Sequence, residues 1–292
     1  MTDWQDHRLW DTARREGVDQ LLWLAMGQKT AEEQALVEVY KENRRQQTAR
    51  FLRWRHACGQ ALAALNAAHL PAICLRGLAV AELLYGEHAV ARPQSDIDLL
   101  LEEQHMQDAR QALWDIGFRP HETYRNIWFR GDIVLDLHHE PLGIERIQAW
   151  QYLTPLRAKD FFRHAETGEL ADEKALLVSP RVNLPYLCFH ALKHSFERLV
   201  WLYDMALLAN HIDAAGQWDD VLAGIREYRL ERPCYYALAY VRKHLEASVP
   251  EDLLREIRPD MDFIERRLFA RHMNHEVIPY LAERLFARMQ PD

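Results

Sequence analysis

Two aspartates open an otherwise apolar strand, and this arrangement restricts the fold more than any other feature of the sequence. The segment from Asp96 to Leu101 reads DIDLLL. Because side chains alternate across a strand, Ile97 and Leu99 would face one side while Asp96 and Asp98 face the other, about 7 Å apart. Two neighbouring anions at a buried sheet edge repel each other and are costly to desolvate. A divalent cation with oxygen ligands would remove that cost.

A third carboxylate, Asp136, lies in the middle of a second predicted strand, from Ile133 to His138. Aspartate is depleted in strands, so its position is unusual. If this strand lies beside that of Asp96 and Asp98, three carboxylates converge, as two-metal phosphoryl chemistry requires. His138 shares the face of Asp136 and could orient it. A D-x-D pair alone is most often a solvated strand end or a helix cap, and only the combination favours a metal site.

A glycine turn upstream supplies a candidate phosphate site. Arg76 and Gly77 follow a short apolar strand and precede a helix, and backbone N–H groups at such a helix start can hold phosphate. Arg76 would add a fork of donors. Arg92, four residues before Asp96, could neutralise phosphate or pair with a carboxylate, and Ser95 completes the predicted nucleotide-binding residues. The alternative is an ordinary strand-to-helix turn.

The apolar pattern changes twice along the 292 residues, which divides the chain into regions. Helical spacing is followed by short apolar runs separated by turns, and helical spacing then returns. This order predicts an α+β fold, with a small mixed β-sheet flanked by N-terminal helices and a C-terminal helical domain. The predicted domains are an N-terminal helical region (1–68), a sheet-containing core (69–145), a connector (146–179) and the C-terminal helical domain (180–292). The predicted strands are 72–75, 97–101, 126–129 and 133–138.

Composition and charge argue against several classes of protein. The formal net charge is −8, which argues against a general nucleic-acid surface. No apolar stretch approaches the ~20 residues that span a bilayer, and the N-terminus lacks a signal-peptide core. The four cysteines show no C-x-x-C spacing, so neither a zinc ribbon nor a redox motif is indicated. We therefore expect a cytoplasmic protein without membrane contacts, and we do not expect nucleic acid as a partner.

A polar stripe marks one predicted helix, from Leu184 to Asn210. Histidines and a tryptophan occupy the stripe, which is unusual for a solvated helix face. They could form a second wall of a cleft, stacking on a base or meeting phosphate. The alternatives are a half-buried surface that pairs with other helices and, less favoured, a zinc site. The predicted cleft residues are His138, His190, Lys193, His194, Trp201 and Asp204.

The order of these motifs resembles a known family. An apolar strand precedes Arg76-Gly77, a short helix ends in Leu-Leu-Tyr, and RPQSDIDLL begins at Arg92. A helix, a Gly-Phe turn and an Asp-Leu-His strand complete this order, and CFHALKH from Cys188 is similar to a further motif. Together they resemble the uncharacterised nucleotidyltransferase family of the DNA polymerase β-like superfamily.

The resemblance implies a fold, an activity and a set of ligands. Residues 69–145 would be the catalytic core of an enzyme that moves a nucleoside monophosphate from a nucleoside triphosphate to a small molecule, peptide or protein. Asp96, Asp98 and Asp136 would hold Mg²⁺, or alternatively Mn²⁺, and Asp136 would also act as general base. Gly77 matches the glycine of the phosphate-holding turn.

Two departures from the family pattern keep other functions open. Arg76 stands where the family usually has lysine, and Leu78 stands where the superfamily more often has serine. A catalytically weak or inactive nucleotide-binding regulator of the same fold is therefore the alternative to an enzyme. A helical interaction protein, with its carboxylates on the surface by accident, is the third hypothesis.

Overall fold

The computed structural model describes residues 7–26, 34–143 and 151–276, together with Ile278, Leu281, Leu285 and Met289. The chain forms two compact units. The first contains Met1–His139 and Glu166–Leu177, and the second contains Glu140–Ala165 and Val178–Asp292. No helix in the described ranges combines the length and hydrophobicity needed to cross a bilayer.

One mixed sheet dominates the first unit. Its seven described strands lie in the order β3-β4-β5-β2-β1-β7-β6. In chain order they are β1 (Ile73–Cys74), β2 (Ile97–Leu100), β3 (Arg119–Pro120), β4 (Ile127–Arg130), β5 (Ile133–His138), β6 (Ala165–Leu170) and β7 (Glu173–Val178). Strand β1 runs antiparallel to β2 and parallel to β7.

Along the chain, helices precede, separate and follow the strands of this sheet, as the sequence predicts. The first unit contains α1 (His7–Glu16), α2 (Asp19–Met26), α3 (Gln34–Ala67), α4 (Leu78–Leu84) and α5 (Met106–Asp115), with 3₁₀ turns at Gly86–Ala91 and Glu103–His105. The second contains α6 (Ala158–Arg163), α7 (Pro180–Lys193), α8 (Leu199–Ala214), α9 (Trp218–Glu227), α10 (Glu231–His244), α11 (Glu251–Glu256) and α12 (Phe263–His272). The predicted α+β fold, with a mixed sheet and flanking helices, is confirmed.

The centre of the sheet is buried because α3 and α5 pack into the same apolar cluster. Trp54 and Leu65 of α3 and Leu113 of α5 join Leu99 and Leu137 of the strands in that cluster. A close approach by α3 requires a glycine, since a Cβ at Gly59 would lie 2.6 Å from the carbonyl oxygen of Ala171. Burial of this apolar surface stabilises the strands that carry the acidic residues.

The segment predicted as a connector contributes β6 and β7, two strands that the sequence analysis did not predict. The exposed polar residues from Glu166 to Glu169 hide the strand pattern. The turn between the strands uses positive φ at Ala171 and Asp172, where glycine or asparagine is the usual signal.

The single helix predicted from Leu184 to Asn210 is wrong, because the chain breaks between α7 and α8. Ser195 and Phe196 adopt positive φ angles of 55° and 53°. The Phe196 amide donates to the Ala191 carbonyl at 2.7 Å, which closes the end of α7. The Phe196 side chain is buried, so tertiary packing supports a left-handed turn that lacks glycine.

Candidate active site

Strand register brings two of the predicted acidic residues side by side. Strands β2 and β5 are parallel neighbours, and Asp98 pairs directly with Asp136. Burial alternates along β5. Ile133 and every second residue after it are buried in the core, whereas Asp136 and His138 are half-buried. Ligand atoms of Asp98, Asp136 and His138 all lie within 4.8 Å of one another. The group therefore sits where a cation could be held by the sheet.

Asp98 is the most enclosed member of the group. Its side chain is 3% exposed, and Arg76 donates to both oxygens, from Nη2 at 2.7 Å and from Nε at 3.1 Å. His138 Nε2 lies 2.8 Å from Oδ1 of the same carboxylate. Burial alone would raise the pKa of Asp98, but Arg76 and His138 outweigh it and hold the pKa well below its usual range. Asp98 is therefore ionised at neutral pH.

Asp96 lies just before β2 and has a different environment. Its Oδ1 accepts a hydrogen bond of 2.7 Å from the Ser95 hydroxyl. Burial, and then the negative charge of Asp98, raise the pKa of Asp96. Among the described residues, Asp96 is not part of the group whose ligand atoms all lie within 4.8 Å of one another. The two aspartates of the D-x-D motif thus lie near each other with opposite pKa shifts.

The glycine turn contacts the loop that carries this motif. Gly77 has φ 54° and ψ −109°, a conformation that glycine adopts without steric cost. A Cβ there would lie 3.0 Å from Oε1 of Gln94 and 3.5 Å from the carbonyl oxygen of Asp96. Arg92 is buried, and its Nη1 donates to the Pro93 carbonyl at 3.2 Å. The turn at Gly77 therefore packs against the loop that leads into the D-x-D motif.

The predicted stripe residues lie in the second unit. The rings of His190, His194 and Trp201 form a cluster, with centroids 4.7 Å apart for the two histidines and 5.4 Å from each histidine to the tryptophan. Asp204 is 2% exposed, and Lys193 is half-buried. The break after α7 does not disperse this cluster, because Trp201 comes back from α8 to meet α7.

The donor set on the sheet suits a divalent cation. Asp98 and Asp136 supply the carboxylate oxygens that Mg²⁺ and Mn²⁺ accept, and the sheet fixes both strands. The imidazole of His138 adds a nitrogen. Among the described residues, these three bring their ligand atoms close enough together to hold a cation.

Two contacts were not anticipated from the sequence. Arg76 was expected at phosphate, yet it pairs with Asp98, and His138 lies closer to Asp98 than to Asp136 Oδ2, which is 3.6 Å away. The contact of His138 follows from the parallel register of β2 and β5, whereas the pairing of Arg76 with Asp98 follows from the antiparallel register of β1 and β2. Nothing local in the sequence reports either register.

Comparisons with known proteins indicate a family. A family model described as an uncharacterised nucleotidyltransferase matches residues 2–246. No curated protein matches this sequence.

Two solved structures are similar at low identity. The solution structure of the antibiotic-resistance factor ANT(2'')-Ia is 20% identical with a TM-score of 0.40, and the match covers 65% of this chain and 97% of that one. The crystal structure of ANT(2")-Ia in complex with adenylyl-2"-tobramycin is 20% identical with a TM-score of 0.39, covering 56% and 92%.

Proposed function

This chain belongs to the uncharacterised nucleotidyltransferase family, and from that premise we propose that it transfers a nucleoside monophosphate from a nucleoside triphosphate to an acceptor hydroxyl. The family match supports the transferase activity that the sequence predicted. The observation that carries the specific site is the pairing of Asp98 with Asp136 across parallel strands.

Asp96, Asp98 and Asp136 would hold the catalytic cations, Mg²⁺ or Mn²⁺. Such ions lower the cost of charge that develops on the transferring phosphoryl group. Asp98 enters the reaction ionised, because its pKa lies well below the usual range. Asp96 is the more adaptable carboxylate, since its hydrogen bond partner is the neighbouring Ser95 hydroxyl.

The protein's own groups account for the remaining steps. Asp136 takes the proton from the acceptor hydroxyl, the acceptor oxygen bonds to the α-phosphorus, and pyrophosphate leaves with the electrons of the broken P–O bond. Arg76, Gly77, Arg92 and Ser95 are the residues proposed to bind the triphosphate. Arg76 must exchange one anionic partner for another to do so, because it already pairs with Asp98.

The acceptor is proposed to be a small molecule, peptide or protein. The formal net charge of −8 disfavours a nucleic-acid end. The candidate binding residues of the second unit are Lys193, Asp204 and the cluster of His190, His194 and Trp201, whose rings are able to stack on a flat ligand.

The four cysteines are free and buried, which supports the proposal that the protein acts in a reducing cytoplasm.

A catalytically weak nucleotide-binding regulator is the second candidate function. The observation that favours it is the two-point ion pair between Arg76 and Asp98, which a cation would have to displace. Magnesium-dependent pyrophosphate release distinguishes the enzyme from this regulator, and nucleotide binding without release is the regulator's signature.

The test is pyrophosphate release with each of the four nucleoside triphosphates and Mg²⁺ or Mn²⁺, followed by mass spectrometry of labelled acceptors in lysate. Asp98→Asn and Asp136→Asn should each lower turnover by at least about a hundredfold, with circular dichroism unchanged. Asp132→Asn is the matched control, because Asp132 is an exposed carboxylate on the turn before β5 that pairs with Arg53. Full activity in Asp136→Asn would contradict the proposed site.

A further inference from the structure

His138 lies close enough to Asp98 and Asp136 to bind the same cation. Its Nε2 lies 2.8 Å from Asp98 Oδ1 and 3.6 Å from Asp136 Oδ2. The His138 side chain is 15% exposed. Asp136 comes two positions before His138 in β5, so both side chains project from the same face of the strand. Three ligand atoms from two neighbouring strands thus converge without any loop taking part.

The contact between His138 and Asp98 is itself informative. An ionised carboxylate only accepts hydrogen bonds, so the proton between Nε2 and Oδ1 belongs to the histidine. A divalent cation placed among the three residues would take the place of that proton, displace Arg76 from Asp98 and bond to the same nitrogen and oxygens. The three ligand atoms already lie within 4.8 Å of one another.

We infer that His138 is a nitrogen ligand of the cation that Asp98 and Asp136 hold, which makes the centre one of mixed carboxylate and imidazole donors. The inference rests on the proposed function for the presence of that cation. Magnesium prefers oxygen ligands, whereas imidazole favours first-row transition ions. The centre therefore selects Mn²⁺ over Mg²⁺ more strongly than three carboxylates would.

The competing role for His138 is that of a positioning residue, which holds Asp98 by a hydrogen bond and never touches the cation. Loss of activity in a His138 variant would fit both roles, so activity cannot separate them. The two roles differ in one physical property, which is a bond between the histidine nitrogen and the metal.

Electron spin-echo envelope modulation on Mn²⁺ bound to the untagged full-length protein reports that bond directly. The wild type should show ¹⁴N modulation, and His138→Asn should lose it. The control is His88→Asn, which removes an exposed histidine of the same unit and should keep the modulation. His138→Asp should give an all-oxygen centre whose preference for Mn²⁺ over Mg²⁺, measured by competition, falls.

Each other outcome overturns a defined part of the reasoning. If Mn²⁺ binds, Asp136→Asn weakens that binding, and the wild type shows no ¹⁴N modulation, then His138 is not a ligand while the proposed function stands. If Mn²⁺ does not bind, or binds equally well to Asp136→Asn, the cation site fails and the inference fails with it.

Discussion

Arg76 neutralises a carboxylate that water barely reaches, so its replacement should destabilise the first unit. Asp98 is 3% exposed and Arg76 is 17% exposed, and two hydrogen bonds join them. The substitution Arg76→Gln removes the positive charge and keeps a polar side chain of moderate length. The contact of His138 Nε2 with Asp98 Oδ1 would then remain.

The expected loss follows from burial. Removing one partner of a buried ion pair costs roughly 3–5 kcal/mol, because the other charge is left uncompensated. His138 stays beside Asp98, so we expect the lower end, about 3 kcal/mol. The pair between Arg53 and Asp132 is the matched control, since its side chains are 56% and 59% exposed. Arg53→Gln should change the free energy of unfolding little, because solvent screens an exposed pair.

Hydrogen exchange measured by mass spectrometry on β2 and β5, without added cation, isolates the stability of the first unit. Arg76→Gln should speed exchange there by about a hundredfold, and Arg53→Gln should leave it nearly unchanged. The double variant with Asp98→Asn should recover much of the loss, because the buried charge is gone. Equal, small effects of Arg76→Gln and Arg53→Gln would refute the account of Asp98 as a charge that depends on Arg76.

Two further predictions concern a buried histidine and a strained turn. Burial lowers the pKa of His272 to about 4, so the folded state binds its proton less readily than the unfolded chain, and stability should fall by about 2 kcal/mol from pH 7 to pH 5. His272→Gln, which keeps a donor for the Tyr236 carbonyl, should remove this slope in urea unfolding, and an unchanged slope would contradict it. Gly77→Ala should cost about 1–3 kcal/mol and weaken nucleotide binding, because positive φ and contact with Gln94 combine there. Gly86→Ala is the control, because Gly86 has φ 55° but a Cβ there would meet open space. Equal nucleotide affinities in Gly77→Ala and Gly86→Ala would exclude a role for the contact with Gln94.

The central strands could be predicted because their sequence pattern and their burial agree. In β5 the alternation of Leu135 and Leu137 with Asp136 and His138 is the same in sequence and in structure. In β2 the run of leucines is buried throughout. Both patterns follow from the two-residue period of a strand and from a core that lies on one side of β5 and on both sides of β2.

The remaining features depend on contacts that no local window contains. The break after α7 carries neither glycine nor proline, and Phe196 holds its turn by packing on His272 at a ring distance of 4.6 Å. The pairing of Arg76 with Asp98 likewise depends on β1 lying beside β2. Tertiary packing overrides local propensity at both places.

The parallel pairing of β1 with β7 also constrains how the protein can be made or shortened. Ile73 pairs with Leu176, so the ribosome must synthesise the whole intervening chain before β1 gains its outer neighbour, and such late, non-local pairing slows folding. A truncated fragment that stops after β5 would expose the edge of β1, and an open strand edge is a template for aggregation. A minimal fragment for producing the sheet must therefore include residues 166–177, which a designed linker would join to the rest of the sheet if the intervening chain is left out.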